Sequence, residues 1–388
     1  MKTNLNLKNH HFFNLPKPLK ESDYQEVCDL VVSRLKGNSN VKSIYLIGSQ
    51  SIFGISDLDI LVICKDKINY QMGIPYSRSL SEKAKYIFLH NFWKLNEKGF
   101  RNVHYITSYA PLKLLWGKEV SICNPENELS QKDYQLFNAI LIFDFLINKL
   151  LIFPRYLKYT QLDTRQILGE VYSLTYTLDM LKSIGLSAIQ TSFPERIKKL
   201  REEWFDNDNE KNLQELVVLF DQAIDIIPEM VVRLNSFVQD QDLVKDGVIF
   251  RNRKYYIVFN KSWSKQEFLN SFTKGYIAVK KPFSKRMVEN FKIILPESLS
   301  YFLLSYAKCD GYFSDQIRKS LINCQITASP INQGIYRHIK ATNELARDSV
   351  NNNGFFKIPL SYGYLLGQQQ LISYLGDKTV LFLRKIKK

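Results

Sequence analysis

The hydrophobic pattern of the N-terminal region changes from helical spacing to continuous apolar runs. Residues 21–36 place apolar side chains on one face at helical spacing, which predicts an amphipathic helix. Two apolar runs follow, and they predict neighbouring strands at 41–47 and 57–64. Between them the dipeptide Gly48-Ser49 begins a turn. The segment therefore predicts a helix followed by a strand–turn–strand unit.

Weaker patterns fill the rest of the first third of the chain. A helix is predicted near 79–85, and strands are predicted at 86–90 and 102–107. Residues 111–116 predict a short helix, because Gly117 is a typical residue for ending one.

The middle of the chain shows long helical periods, and the last third is mixed. The predicted middle helices lie near 131–153, 164–184, 193–205 and 210–237. Apolar runs at 248–250 and 255–259 predict a hairpin. The other predicted elements of this part are helices near 297–308, 314–322 and 332–349 and a strand at 379–383.

This order of elements predicts an α+β protein with three units. The first, residues 21–128, is expected to hold a mixed sheet with flanking helices. The second, 129–240, is expected to be all-helical, and the third, 245–388, to be an α+β domain. A chain of 388 residues is long for a single core, which agrees with two or three domains.

Composition favours a soluble protein of a reducing compartment. Apolar residues make up 45% of the chain, which suffices for folded cores. The most lipid-like stretch, 137–153, is interrupted by Asp144 and Lys149 and falls short of the roughly 20 residues that cross a bilayer. The five cysteines include no Cys-x-x-Cys pair. We therefore expect a buried helix at 137–153, no transmembrane segment and a cytoplasmic location.

The excess positive charge lies entirely in the C-terminal region. Residues 245–388 hold 24 Lys and Arg against 9 Asp and Glu, whereas residues 1–244 hold 29 of each. Aromatic residues occur among these cations, as at Tyr255 and Phe283. Basic side chains beside rings suit nucleic acid, and they also suit a membrane surface or an acidic protein. The region predicts an anionic partner, with RNA as one candidate.

Two carboxylates at the start of the second strand are the strongest chemical signal. Side chains alternate along a strand, so Asp57 and Asp59 are expected to point to the same side. Paired carboxylates on a rigid edge suit Mg²⁺ together with substrate phosphates. Gly48 allows the backbone to approach a triphosphate, and Ser49 offers a hydroxyl to it. Ser56 is a third candidate for nucleotide binding and is also placed to orient the aspartates.

The pattern of an apolar strand, Gly48-Ser49, a short segment and Asp57-Leu58-Asp59 resembles the nucleotidyltransferase superfamily of DNA polymerase beta and the poly(A) and CCA-adding polymerases. The resemblance covers about residues 25–125. It implies Mg²⁺-dependent transfer of NMP from an NTP to an acceptor, with release of pyrophosphate. Asp57 and Asp59 would be the catalytic metal ligands, and Gly48, Ser49 and Ser56 would contact the nucleotide.

Two departures from the family pattern leave alternatives open. The seven residues between Ser49 and Asp57 form a shorter segment than is usual in the family. The third acidic ligand that the family takes from a later strand is also missing from 86–90 and 102–107. The polar side chains available there are His90 and His104, while more distant acids are Asp66, Glu97 and Glu119.

Three hypotheses follow. The chain is an active nucleotidyltransferase, a catalytically degenerate relative that binds nucleotide or nucleic acid, or an interaction module. The last leaves the paired aspartates unexplained, because burying charge without a partner is costly.

Overall fold

The structure is a computed structural model of the chain. The residues it describes are 9–48, 52–66, 73–107, 111–157, 159–186, 189, 191–241, 247–251, 255–274, 276–279, 288–322, 324 and 330–352. The predicted strand at 379–383 lies outside them. The described part is a mixture of helices and strands, which confirms the α+β class.

The strands of the described part are short and form three separate sheets. In chain order they are β1 His11–Phe13, β2 Val41–Ile47, β3 Asp59–Cys64, β4 Trp93–Asn96, β5 Leu112–Gly117, β6 Gln161–Asp163, β7 Ile249–Arg251, β8 Tyr255–Asn260, β9 Tyr276–Val279, β10 Val288–Pro296 and β11 Leu321–Ile322.

The helices range from single turns to long core helices. In chain order they are α1 Glu21–Leu35, α2 Glu82–Ile87, α3 Glu97–Arg101, α4 Val103–Ile106, α5 Pro125–Glu128, α6 Gln131–Tyr156, α7 Thr164–Tyr172, α8 Leu174–Ser183, α9 Phe193–Glu202, α10 Asn209–Val238, α11 Lys265–Lys274, α12 Ser300–Lys308, α13 Tyr312–Ser320 and α14 Gln333–Asn351. Single 3₁₀ turns lie at Ser77–Ser79 and Glu297–Leu299.

The N-terminal sheet is mixed, as the sequence predicts. Its strand order is β4-β3-β2-β5. β2 is antiparallel to both β3 and β5, whereas β3 and β4 are parallel. The two central strands are almost wholly buried, because their apolar runs face covered layers on both sides of the sheet. Together with α1 they form a hydrophobic cluster that includes Val31, Ile44 and Leu61.

Three predicted elements of this region are wrong. Residues 86–87 end α2, which begins where the Ser81 side chain accepts the Ala84 amide, and no strand follows before β4. Residues 103–106 form α4, whose apolar side chains are buried although they lie in a helix. Residues 112–117 form β5 instead of a helix. Pairing with β2 decides the structure there, because tertiary contacts override weak local preferences.

The helical region and the C-terminal sheet share one hydrophobic cluster. This cluster contains Phe143 of α6, Phe220 of α10, Ile257 of β8 and Ile339 of α14. The C-terminal sheet has the order β11-β7-β8-β10-β9, and its predicted β7–β8 hairpin is confirmed. The predicted boundaries at 128/129 and 240/245 stay a prediction.

The middle region departs from the all-helical prediction at β6. This three-residue strand pairs in parallel with β1, and Asn14 at the end of β1 donates hydrogen bonds to both carboxylate oxygens of Asp163. The predicted helix at 164–184 is divided into α7 and α8.

The apolar helix predicted at 137–153 lies inside α6. Among the described helices, Gln131–Pro154 is long and apolar enough to span a membrane, but 89% of its most apolar window is buried inside the protein. Tyr306 and His338 contact Asp144 from the C-terminal region, with the Tyr306 hydroxyl 3.1 Å from Oδ2. Burial and these polar contacts fit a core helix of a soluble protein.

Close packing of α14 on α6 makes Gly334 sensitive to substitution. A Cβ atom there would lie 2.3 Å from the Asp133 carbonyl oxygen and 2.9 Å from Cβ of Phe137. We expect Gly334→Ala to lower the free energy of unfolding by about 1–3 kcal/mol, because the two helices must separate. Urea denaturation followed by circular dichroism measures this change.

Gly169→Ala is the matched control, since a Cβ atom at Gly169 in α7 meets nothing within 4 Å. This variant is expected to be as stable as the wild type or up to about 1 kcal/mol more stable. Equal stability of the two variants would contradict the packing argument.

Candidate functional site

The site is built on the hairpin of β2 and β3. Ile47, the last residue of β2, pairs with Asp59, the first residue of β3. Gly48 therefore follows β2 beside the point where β3 begins. Gly48 has a φ of 76°, which favours glycine, and its amide donates to the Pro111 carbonyl at 2.8 Å. Its own N–H is thus engaged. The predicted phosphate contacts fall on Ser49 and the amides after it, and residues 49–51 lie outside the described residues.

A tight turn then carries the chain to Asp57. The amides of Ile55 and Ser56 both donate to the Ile52 carbonyl, at 3.2 and 2.9 Å. Gly54 has a φ of 90°, and the Lys17 carbonyl oxygen lies 2.0 Å from where a Cβ atom would be. No other residue type fits this position without displacing the N-terminal segment. The described part of the short segment, residues 52–56, is therefore a compact and closely packed turn.

Two buried arginines of the helical region bind this turn. Arg165 of α7 and Arg201 of α9 are 1% and 5% exposed. Arg165 Nη2 lies 3.3 Å from the Ser56 carbonyl oxygen, and its Nη1 donates to the Tyr86 carbonyl. Arg201 Nη2 donates to the Ser56 hydroxyl at 3.1 Å, and its guanidinium stacks 3.8 Å from the centre of the Tyr172 ring. The helices thus fix the backbone directly before Asp57.

Some nitrogen atoms of these two guanidinium groups have no hydrogen-bond acceptor among the described residues. Arg201 Nε and Nη1 and Arg165 Nε are buried without a hydrogen-bond partner in the described part of the chain. Burial lowers the pKa of Arg201, while the neighbouring tyrosines and Asp57 act in the opposite direction. The charge of Arg165 also opposes the rise in the pKa of Asp57 that burial and Asp59 cause. Buried positive charge behind the turn offsets part of the cost of burying the aspartates.

Two tyrosine hydroxyls complete the support of the turn. Tyr24 of α1 donates to the Ser56 carbonyl and accepts from the Gly54 amide at 3.0 Å. Tyr86 of α2 donates to the Gly54 carbonyl and accepts from the Lys17 amide, both at 2.7 Å. Burial raises the pKa of Tyr24 to about 12, so its hydroxyl stays protonated and keeps donating. Both sides of the turn are therefore anchored to the N-terminal unit.

The aspartates meet a histidine. His90 precedes β4, and its Nε2 lies 2.5 Å from Oδ1 of Asp59 and 3.7 Å from Oδ2 of Asp57. One potential ligand atom from each of these three residues lies within 4.8 Å of the others. The three side chains are between 28% and 36% exposed, so solvent reaches all three. Asp57, Asp59 and His90 together are called the Asp–Asp–His group.

Burial and neighbouring charges shift the protonation of this group. Burial and the negative charge of Asp59 raise the pKa of Asp57 to about 6. Burial by itself lowers the pKa of His90, but the hydrogen bond and charge of Asp59 and the charge of Asp57 outweigh burial and raise this pKa to about 9. Without a metal, the imidazolium therefore neutralises part of the carboxylate charge. A cation bound by Nε2 has to displace a proton.

The structure places the other predicted site residues as follows. Ser56 is buried, and its hydroxyl accepts a hydrogen bond from Arg201, while its role in orienting the aspartates stays a prediction. Its contact with a nucleotide stays a prediction. His104 lies in α4 and is not part of the Asp–Asp–His group. The acids Asp66, Glu97 and Glu119 are also outside this group, and Glu97 instead pairs with Lys42 and Arg101. Among the described residues, the side chain that joins Asp57 and Asp59 as a third potential metal ligand is thus a histidine.

Comparisons of this chain with protein-family models, with curated proteins and with solved structures found no match.

Removal of the Tyr24 hydroxyl tests the support of the turn. We expect Tyr24→Phe to lower the free energy of unfolding by about 1–3 kcal/mol, because the buried Ser56 carbonyl and Gly54 amide lose a shared partner. Urea denaturation measures the loss. Tyr76→Phe is the matched control, since the Tyr76 side chain is 46% exposed, and it is expected to leave stability unchanged. A Tyr24→Phe protein as stable as this control would refute the anchoring role.

Proposed function

We propose that the protein is a divalent-metal-dependent nucleotidyltransferase that transfers NMP from an NTP to an acceptor and releases pyrophosphate. The observation that carries the proposal is the hairpin in which Gly48 lies beside the Asp57–Asp59 segment while both carboxylates converge. The cation that the family resemblance implies is Mg²⁺. Asp57 and Asp59 suit this ion, whereas an imidazole ligand such as His90 suits it less well.

The residues around the turn would bind and orient the nucleotide. A triphosphate entering at Gly48 would meet backbone amides, with the buried charges of Arg165 and Arg201 behind the turn favouring an anion. Asp57 and Asp59 would hold the cation beside the transferred phosphoryl group, where it acts as a Lewis acid. Rigid support from Tyr24 and Tyr86 would keep the carboxylates in position between turnovers.

A pair of tyrosines on the helical region supports a position for the nucleobase. Tyr172 and Tyr176 meet edge to face with ring centres 5.5 Å apart, and Arg201 stacks on Tyr172. Burial, Tyr172 and the negative charge of Asp59 are among the causes that raise the pKa of Tyr176 to about 12, so this ring lies within electrostatic reach of the carboxylates. Tyr176 is still 51% exposed, which leaves a ring face for stacking. We propose that it stacks on the base.

The acceptor is proposed to be anionic, because the excess of positive over negative residues in the chain lies in residues 245–388. RNA is one such acceptor. Arg251 is one of these cations, and its guanidinium lies 5.3 Å from the Tyr256 ring centre. Most of the cations that motivate the proposal, including Lys280 and Arg286, lie outside the described residues. A cytoplasmic location, where NTPs are abundant, is part of the same proposal.

The direct bond between His90 and Asp59 favours a second candidate function. A histidine in place of a third carboxylate, already paired with Asp59, is what a site without turnover would contain. In this case the protein binds nucleotide or nucleic acid on a degenerate nucleotidyltransferase scaffold.

Turnover with labelled NTPs separates these functions. Purified protein is incubated with each of the four NTPs, a divalent cation, and total RNA or cell lysate as acceptor. We expect Asp57→Asn and Asp59→Asn each to reduce label transfer and pyrophosphate release by more than about 100-fold, because both remove a cation ligand. Asp66→Asn is the matched control, since its exposed carboxylate lies outside the Asp–Asp–His group.

Equal activity of the wild type and the Asp57 and Asp59 variants would refute the enzyme proposal. NTP binding measured by calorimetry, without product under any metal, would favour the degenerate scaffold.

The stacking role of Tyr176 predicts a change in KM. We expect Tyr176→Ala to raise KM for NTP by roughly 5- to 100-fold with little change in kcat, because stacking on one base contributes about 1–3 kcal/mol. Steady-state kinetics at varied NTP concentration measures both constants. Tyr159→Ala removes an equally exposed ring outside the tyrosine pair and is expected to leave KM unchanged. A Tyr176→Ala enzyme with wild-type KM would rule out the stacking role.

A further inference from the structure

We propose that His90 is the third protein ligand of the cation, and that the Asp–Asp–His group takes a divalent first-row transition ion in preference to Mg²⁺. The inference rests on the proposed function only in that a cation binds at Asp57 and Asp59. It replaces the three-carboxylate ligand set that the resemblance implies with two carboxylates and one imidazole.

The spacing of the three side chains suits one ion. Ligands at about 2.0–2.2 Å from a common cation lie at most about 4.4 Å apart. Nε2 of His90 lies 2.5 Å from the Asp59 oxygen and 3.7 Å from the Asp57 oxygen, and the three ligand atoms fall within 4.8 Å of one another. The longest separations need to shorten by a few tenths of an ångström, and the short separation between His90 Nε2 and the Asp59 oxygen needs to widen. One cation then fits between the three ligand atoms.

The other nitrogen of His90 has the contact expected of a metal ligand. Histidines that bind metals usually donate their second N–H to a carboxylate, a backbone carbonyl or a water, which fixes the ring and its tautomer. Nδ1 of His90 lies 2.8 Å from the backbone carbonyl oxygen of Asn91. Donation to this carbonyl leaves the Nε2 lone pair facing the two aspartates. The backbone carbonyl of Asn91, just before β4, therefore orients the ring toward the cation position.

Trp93 makes a second contact with Nδ1 of His90. The Trp93 indole N–H lies 3.0 Å from the same nitrogen, and the two rings stack with centres 5.1 Å apart. Acceptance from Trp93 requires a lone pair on Nδ1, and in the neutral ring the hydrogen is then on Nε2, facing Asp59. Each neutral tautomer thus has its own partner, Asn91 or Trp93. The ring can exchange its Asp59 hydrogen bond for a metal bond without leaving its place.

Ligand chemistry then selects the class of ion. Mg²⁺ takes oxygen ligands almost exclusively, whereas imidazole is a common ligand of first-row transition ions. The described residues offer no third carboxylate at this group. Mn²⁺ accepts both carboxylate and imidazole and is therefore a suitable probe.

The test measures binding of the metal alone to the full-length protein, without nucleotide or acceptor. We expect calorimetry to give a Kd for Mn²⁺ at least about 10-fold lower than for Mg²⁺. His90→Ala is expected to weaken Mn²⁺ binding by about 10- to 100-fold. His90→Asp is expected to reduce or invert the preference between the two ions. His11→Gln, which changes an exposed histidine of β1, is expected to match the wild type.

Pulsed electron paramagnetic resonance on the wild-type Mn²⁺ protein gives a readout that does not depend on whether the variants fold. Coupling of Mn²⁺ to a ¹⁴N nucleus, lost in His90→Ala, is the expected signature of imidazole ligation. Absence of Mn²⁺ binding, absence of ¹⁴N coupling, or equal affinity for Mg²⁺ and Mn²⁺ would each overturn the proposal. A protein that shows the coupling but makes no product supports His90 as a ligand while the enzyme proposal fails.

Discussion

The position of the aspartate pair depends on how one short turn is bound by the helices beside it. The Ser56 carbonyl and hydroxyl are satisfied by Arg165, Arg201 and Tyr24, all of which are buried. A buried backbone carbonyl without such partners would be costly, and a buried guanidinium without acceptors would cost more. The turn and the arginines thus stabilise each other, and the aspartates that follow are held at the start of the central strand β3.

The same turn also connects two hydrophobic clusters. Ile55 belongs to the cluster of the helices and the C-terminal sheet, whereas Leu58, three residues later, belongs to the cluster of the N-terminal sheet. The Asp–Asp–His group therefore lies at the junction of two cores, where ligand sites commonly occur. The Asp–Asp–His group lies on the sheet side of this junction, and the cations Arg165 and Arg201 lie on the helix side. This arrangement agrees with the proposed ligand, an NTP that carries its own divalent cation.

Sequence reasoning predicted the elements whose hydrophobic pattern is long and regular. The helix at 21–36, the strand at 41–47 and the helix at 210–237 agree with α1, β2 and α10 to within a residue at each end, even though Pro228 lies inside α10. Short elements were less predictable. β5 was expected to be a helix, because six residues carry little periodicity and its pairing with β2 is a tertiary effect.

The site was predicted in part, for reasons that individual residues make clear. Strand alternation predicts that Asp57 and Asp59 converge, but β3 begins only at Asp59, so the turn before the strand positions Asp57. His90 is among the sequence candidates because of its place after an apolar run. Arg165 and Arg201 were missed. A signal for Arg201 exists, since it shares the buried face of α9 with Phe193, Ile197 and Leu200. A cation on an apolar face indicates a buried acceptor, but the sequence does not say that the acceptor is Ser56, 145 residues away.

The dependence of the turn on α7 and α9 limits how this protein can be divided into working parts. A fragment that stops after the first sheet would retain every residue of the Asp–Asp–His group and lose both guanidinium groups that hold Ser56. If the site were transferred to another protein, by recombination or by design, the sheet would have to be transferred together with α7 and α9. The smallest part of the chain that contains the whole site therefore extends well beyond the Asp57–Asp59 motif, because it includes the arginines that hydrogen-bond to Ser56 across the junction.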